Sequence, residues 1–192
     1  MDVVTLAQGL RAAMQAVDAG PFLDDWPPLV ASRAVPATWL PVCDCLPQLA
    51  SQAAGTLSPL VAGLMAGARA MDWRQTYGAA DFGADFLQGY GWTELIGLRG
   101  PIPSTQVAVG FLLLGPGITY PPHAHEAVEL YLPLSGTALW QQGAGAFAPV
   151  PPGTPIRHDS WVPHAMQTGD QPLLAAYVWR GGDLAAKSQI VG

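Results

Sequence analysis

From about Trp92 onward, short segments rich in Val, Leu, Phe, Tyr and Trp alternate with glycine and proline. That rhythm restricts the fold more than any other feature of the chain. Apolar runs of this length bounded by turn formers read as strands. Within Thr105 to Leu114, Val107, Val109, Phe111 and Leu113 share one face, because side chains alternate across a strand. Ala127 to Leu134, Gly136 to Gln141 and Leu173 to Arg180 continue the series. So many short strands in succession suggest a sandwich or barrel.

The first 75 residues follow a different period. Val3, Leu6, Leu10, Ala13, Met14 and Val17 recur at helix spacing, and Gly20 with Pro21 ends the pattern. Ser58 reads as an N-cap, with Pro59 at the first helical position. Leu60, Val61, Leu64, Ala68 and Met71 then mark one helix face. The expected architecture is mainly β: a helical region over 1–75 packed on a β-barrel over 76–192 that carries the site.

Composition limits the partners. The formal net charge is -6 and the pI about 4.9, which argues against nucleic acid. No run of four Lys or Arg residues exists to meet an anionic membrane. The apolar runs LVAGLMAGA and VAVGFLLLGPGI are too short for a span. No basic leader precedes an apolar block at the N-terminus, so a cytoplasmic protein is expected, with neither nucleic acid nor membrane as partner. Cys43-Asp44-Cys45 cannot complete a four-thiolate zinc site and reads as two small semi-buried residues.

Only 11% of the residues are charged and four are histidine, yet Tyr120, His123, His125, Glu126, Glu129 and Tyr131 crowd one segment. If that segment is extended, as Pro121-Pro122 encourages, His123 and His125 point together. Glu129 and Tyr131 likewise share a face, leaving Leu130, Leu132 and Leu134 to the other. Two imidazoles, a carboxylate and a phenol on one wall suit a divalent transition metal.

The spacing carries a family resemblance. Gly117, His123-x-His125, Glu129 and Gly136 fall at the defining positions of the first cupin motif. Pro151-x-Gly153 is similar to the start of the second motif, but Ile156 stands where a histidine is expected. Of the two remaining candidates, His164 is preferred, because PHAMQTGDQPLL resembles the end of that motif. The residues between Gly153 and His164 then form an insertion, and His158 is read as a loop histidine beside Asp159. With the helical N-terminal section and the string Y-P-P-H-x-H-x-x-x-E-x-Y, the whole chain resembles the cupin-type dimethylsulfoniopropionate lyases of bacteria. The resemblance implies a single C-terminal cupin, a double-stranded β-helix or jelly-roll barrel. It implies cleavage of dimethylsulfoniopropionate to dimethyl sulfide and acrylate. It also implies metal ligands at His125, Glu129 and His164, with His123 and Tyr131 at or beside the metal, and essential tyrosines at 120 and 131.

The implied reaction is a β-elimination with no electron transfer, so the metal need act only as a Lewis acid. One divalent ion is expected: zinc or iron first, with manganese, cobalt or nickel compatible. Ligated histidines have no free lone pair, so the base is assigned to Tyr131, whose phenol a nearby cation would acidify. Tyr120 is assigned to substrate positioning or proton relay, and the reverse assignment stays open. His123 joins Tyr120 on the substrate side. The sulfonium calls for aromatic faces, with Trp179, Tyr177 and Trp161 as candidates. Arg180, Asp81 and Asp85 read as surface charge. The expected partner is a small zwitterionic sulfonium substrate, and a homodimer is compatible with the sequence. Two rival readings are another metal-dependent cupin enzyme, a dioxygenase or isomerase, and a non-catalytic cupin that senses metal or ligand.

Overall fold

Residues 2–191 are described by the computed structural model of the chain. Asp2 caps the first helix, α1 (Val3–Ala16), by accepting the amides of Val4 and Thr5 at 3.0 Å each. Two short helices follow, α2 (Leu46–Gln52) and α3 (Ser58–Gly67). Ser58 is not the N-cap expected of it. A tight turn over Gly55–Leu57 runs directly into α3, which leaves Leu57 at the cap and Ser58 already helical. A strand, β1 (Trp73–Arg74), appears before residue 75, and a fourth helix, α4 (Ala79–Gln88), lies beyond it.

The rest is strand. In chain order these are β2 (Tyr90–Gly97), β3 (Ile102–Pro103), β4 (Val107–Leu114), β5 (Thr119–Ala124), β6 (Val128–Gly136) and β7 (Leu139–Gln142). They continue with β8 (Ala148–Pro149), β9 (Ile156–His158), β10 (His164–Gln167), β11 (Leu173–Arg180) and β12 (Gln189–Ile190). One sheet has the order β1-β2-β4-β11-β6-β9, with β3 alongside β2. The other runs β12-β5-β10-β7-β8. All pairs are antiparallel except β2 with β3.

Strand β4 explains how the layers are held. Its sequence VAVGFLLL is apolar on both faces because both faces are covered. Val107, Val109, Phe111 and Leu113 join Leu6, Leu10, Met14, Leu49 and Leu64 in a core between the larger sheet and the helices. Ala108, Leu112 and Leu114 face inward with Tyr131, Ala175 and Tyr177, against Tyr120, Trp140 and Met166 of the second sheet. Burying each large apolar side chain contributes about 1.5–3 kcal/mol. Gly136 ends β6 at φ 79°, where a Cβ would fall 1.8 Å from the carbonyl oxygen of Pro172. Only glycine fits that turn. No described helix is long and apolar enough to cross a membrane.

Candidate active site

Strand pairing gathers the histidine segment with residues far away in sequence. His123 on β5 is in register with His164 on β10. Glu129 on β6 pairs with Trp179 on β11 and with His158 on β9. Donor atoms of His125, Glu129 and His164 lie within 4.8 Å of one another, all buried. Glu129 Oε2 stands 3.1 Å from Nε2 of both His125 and His164.

The imidazoles are held from behind. Nδ1 of His123, His125 and His164 donates to the carbonyls of Pro121, Ala127 and Val162 at 2.9, 2.9 and 3.0 Å. That fixes the tautomer and leaves Nε2 to face the cluster, the arrangement that orients ligating histidines. His164 Nε2 is buried with no hydrogen-bond partner, although Glu129 is near. An orphaned imidazole nitrogen beside a carboxylate and a second imidazole fits a divalent ion of the zinc or iron type. Glu129 Oε1 accepts the indole N–H of Trp179 at 2.6 Å, which assigns one carboxylate oxygen to the indole and the other to the imidazoles.

Electrostatics follow from that geometry. Burial pushes the Glu129 carboxyl up, but the His125 hydrogen bond and the charge of His125 and His164 prevail and hold it well below the usual carboxylate range. Burial likewise works against a charged His125, and the bond to Glu129 outweighs it, raising the imidazole. Burial and then the Glu129 charge drive the Tyr131 phenol well above its ordinary value. Tyr120 is driven up by burial and by the neighbouring phenols of Tyr90, Tyr77 and Tyr131. Its ring stacks on His123 at 3.9 Å, and its hydroxyl lies 3.0 Å from that of Tyr77. Without a cation in the donor cluster, neither phenol ionises near neutrality.

A cavity of about 600 Å³ opens over the cluster. Tyr120, His123, Glu129, Tyr131, Tyr177 and Trp179 all reach its wall. Trp161 does not; it is half exposed, with its backbone N–H donating to the His125 carbonyl. His158 departs from the expected loop position. It ends β9, is 1% exposed, and stacks on His164 at 4.0 Å and 8° with both ring nitrogens unpartnered. The three-residue strand that carries it gives too short a pattern to read in sequence. The sequence reading also missed Glu94 and Trp92, which line the same cavity from β2. Cys43 is buried and free, its thiol pushed by burial to about 11, consistent with an inert packing residue. Arg180 pairs with Asp25, and Asp81 with Lys187.

The two-sheet barrel is the cupin fold, which the chain shares with a cupin-2 domain from Rhodospirillum rubrum. That domain is 17% identical and has a TM-score of 0.51, over 64% of this chain and 76% of that one. Residues 27–175 match the family described as dimethylsulfoniopropionate (DMSP) lyase, and the chain belongs to that family. Over 109 residues it is 37% identical to dimethylsulfoniopropionate lyase DddQ of Ruegeria pomeroyi, covering 57% of this chain and 54% of that protein. In sequence, then, the chain matches about half the length of that relative. The crystal structure of DMSP lyase DddQ from the same organism superposes with a TM-score of 0.81 at 29% identity, over 97% of this chain and 96% of that one. A chain from the crystal structures of the DMSP lyases RdDddP and RnDddQII superposes with a TM-score of 0.90 at 32% identity, over 99% and 98%.

Proposed function

We propose that this protein is a metal-dependent lyase that cleaves dimethylsulfoniopropionate by β-elimination into dimethyl sulfide and acrylate, with Tyr131 as general base. The observation that carries this reading is the convergence of His125, Glu129 and His164 on one point beneath an aromatic cavity, in a member of the DMSP lyase family. A divalent ion held by these three residues would supply Lewis acidity, stabilising the enolate-like charge on the substrate carboxylate and acidifying a nearby phenol.

The residues of the chain do the rest. Trp179 holds Glu129 in place through its indole N–H. The Tyr131 oxygen takes the proton from the carbon next to the carboxylate. The electron pair of that C–H bond becomes the new C=C bond, and the C–S pair leaves on sulfur as neutral dimethyl sulfide. Tyr131 then returns its proton to solvent. Tyr120, bonded to the Tyr77 hydroxyl and stacked on His123, positions the substrate or relays that proton. Tyr177 and Trp179 offer their rings to the sulfonium. We read residues 1–75 as a mainly helical region that packs on the barrel of 76–192, lending it the edge strand β1.

Incubating metal-loaded protein with dimethylsulfoniopropionate and following dimethyl sulfide by gas chromatography tests the proposal. Release should be rapid, independent of oxygen, and abolished by a chelator and restored by the ion. Oxygen-dependent loss of substrate without dimethyl sulfide would point to a cupin dioxygenase instead.

A further inference from the structure

Glu94 is a buried acid that the elimination as drawn does not use. Its side chain is 3% exposed, yet it contributes to the cavity wall. Oε1 accepts the backbone N–H groups of Arg99 and Gly100 at 2.5 and 2.8 Å. Oε2 carries no hydrogen bond among the described residues, and Arg99 Nη1 lies 3.9 Å from it. The Arg99 guanidinium is directed elsewhere, to the carbonyls of Leu184 and Ala185 at 3.3 and 3.0 Å. Oε2 is therefore the carboxylate oxygen left free to take a partner from the cavity.

The strand beside Glu94 is bare. Register places Gly110 of β4 between Glu94 and Tyr177, and Ala108 next to Trp179. A Cβ at Gly110 would lie 1.8 Å from the Thr93 carbonyl oxygen and 2.9 Å from the Tyr177 hydroxyl, so the position admits no side chain. Ala108, Tyr177, Trp179 and Glu94 line the same cavity as Glu129. A carboxylate thus faces aromatic rings across a floor of one alanine and one glycine. A sulfonium offers charge and methyl groups but no hydrogen-bond donor, so a carboxylate oxygen not taken by a protein donor together with ring faces is what can recognise it.

We infer that Glu94 is a specificity-determining residue whose carboxylate, with the rings of Tyr177 and Trp179, receives the sulfonium end of the substrate. This rests on the proposed lyase reading, which puts the opposite end of the substrate at the His125–Glu129–His164 cluster. Glu94 also braces the turn after β2, so the test must separate charge from bracing. Glu94→Gln keeps an oxygen for the Arg99 and Gly100 amides and removes the charge.

The probes are an isosteric pair that cannot lose sulfur: β-alanine betaine, a zwitterion with a cationic head, and the tert-butyl acid in which carbon replaces its nitrogen. Their binding to the full chain is measured by calorimetry, with metal content and melting temperature recorded alongside. Glu94→Gln should weaken the betaine by roughly 10-fold or more and the tert-butyl acid by less than about 2-fold. Equal changes for the two acids, or none for the betaine, would overturn the inference. If Glu94→Gln does not fold, Glu94→Asp decides the matter, because it keeps the charge. That variant should still prefer the betaine, and loss of the preference counts against a charge role. Dimethyl sulfide release by the unaltered protein is a separate readout. Its absence sinks the lyase reading, whereas the betaine preference stands or falls on the binding data.

Discussion

Trp179→Phe is the sharpest probe of the donor cluster, because it removes one N–H and keeps an aromatic ring. Glu129 is 1% exposed and its two oxygens have separate partners: the indole at 2.6 Å on Oε1, the imidazoles at 3.1 Å on Oε2. Losing the indole leaves a charged, buried oxygen unpaired, at a cost of about 1–3 kcal/mol. Loss of an outer partner of a metal ligand typically lowers metal affinity by roughly 10–100-fold, and at about 1.4 kcal/mol per decade the two figures agree. The assay is dialysis against graded chelator followed by elemental analysis, with the half-exposed Trp161→Phe as control. Trp179→Phe should release its ion at a chelator concentration lower by that factor, and Trp161→Phe should match the unaltered protein. A water entering the space left by the indole sets the lower end of the range. Identical release by all three proteins would show that the indole does not hold Glu129 as a ligand, and the cluster would lose its claim to be the metal site.

Tyr131→Phe should reduce turnover by roughly 10²–10⁴-fold with little loss of metal, since His125, Glu129 and His164 remain. Tyr120→Phe should cost less. If Tyr120→Phe instead abolishes solvent deuterium exchange at the substrate α-carbon while Tyr131→Phe keeps it, the two roles are exchanged. Acid stability gives an independent check. Burial, then His164, depresses the His158 imidazole to about 3, whereas an unfolded histidine titrates near about 6.5. The unfolded chain therefore binds a proton that the fold refuses, so this contribution is intact above about pH 6.5 and lost as pH falls toward about 3. The metal-free protein should melt at a lower temperature at about pH 5 than at about pH 7.5, and His158→Phe should flatten that fall. An unchanged pH slope in the variant would mean that His158 is not buried in neutral form.

Much of this molecule is legible in its sequence wherever a regular period persists. Val107, Val109, Phe111 and Leu113 alternate because one face of β4 meets the helices, and Leu173 to Arg180 forms a strand with those bounds. The spacing of His125 and Glu129 is readable because a short turn and one strand carry both. Periodicity fails where elements are short or interrupted. Gly83, at φ 77°, breaks α4, so Phe82 and Phe86 give no clear helical stripe. Ser58 looks like a cap because nothing local reveals that Gly55–Leu57 has already begun to coil. His158 and Glu94 are harder still. One is set by a cross-strand partner and the other by amides of a turn five and six residues later. Those relations exist only after the sheet has formed.

Leu184 and Lys187 lie in one wall of the cavity, and β12 closes against β5, setting Ile190 beside His123. β11 lies between β4 and β6, so during synthesis the sheet that carries Glu129 forms only after residues 173–180 have emerged, shortly before the stretch that makes that wall. The donor cluster and the wall beside it are therefore completed close together in synthesis. Ion capture and substrate entry would then share the cavity that reaches Glu129. For anyone engineering the protein, changes between Leu184 and Ser188 would fall on the wall of the binding chamber, whereas changes on α1 would fall in the helical layer across the larger sheet.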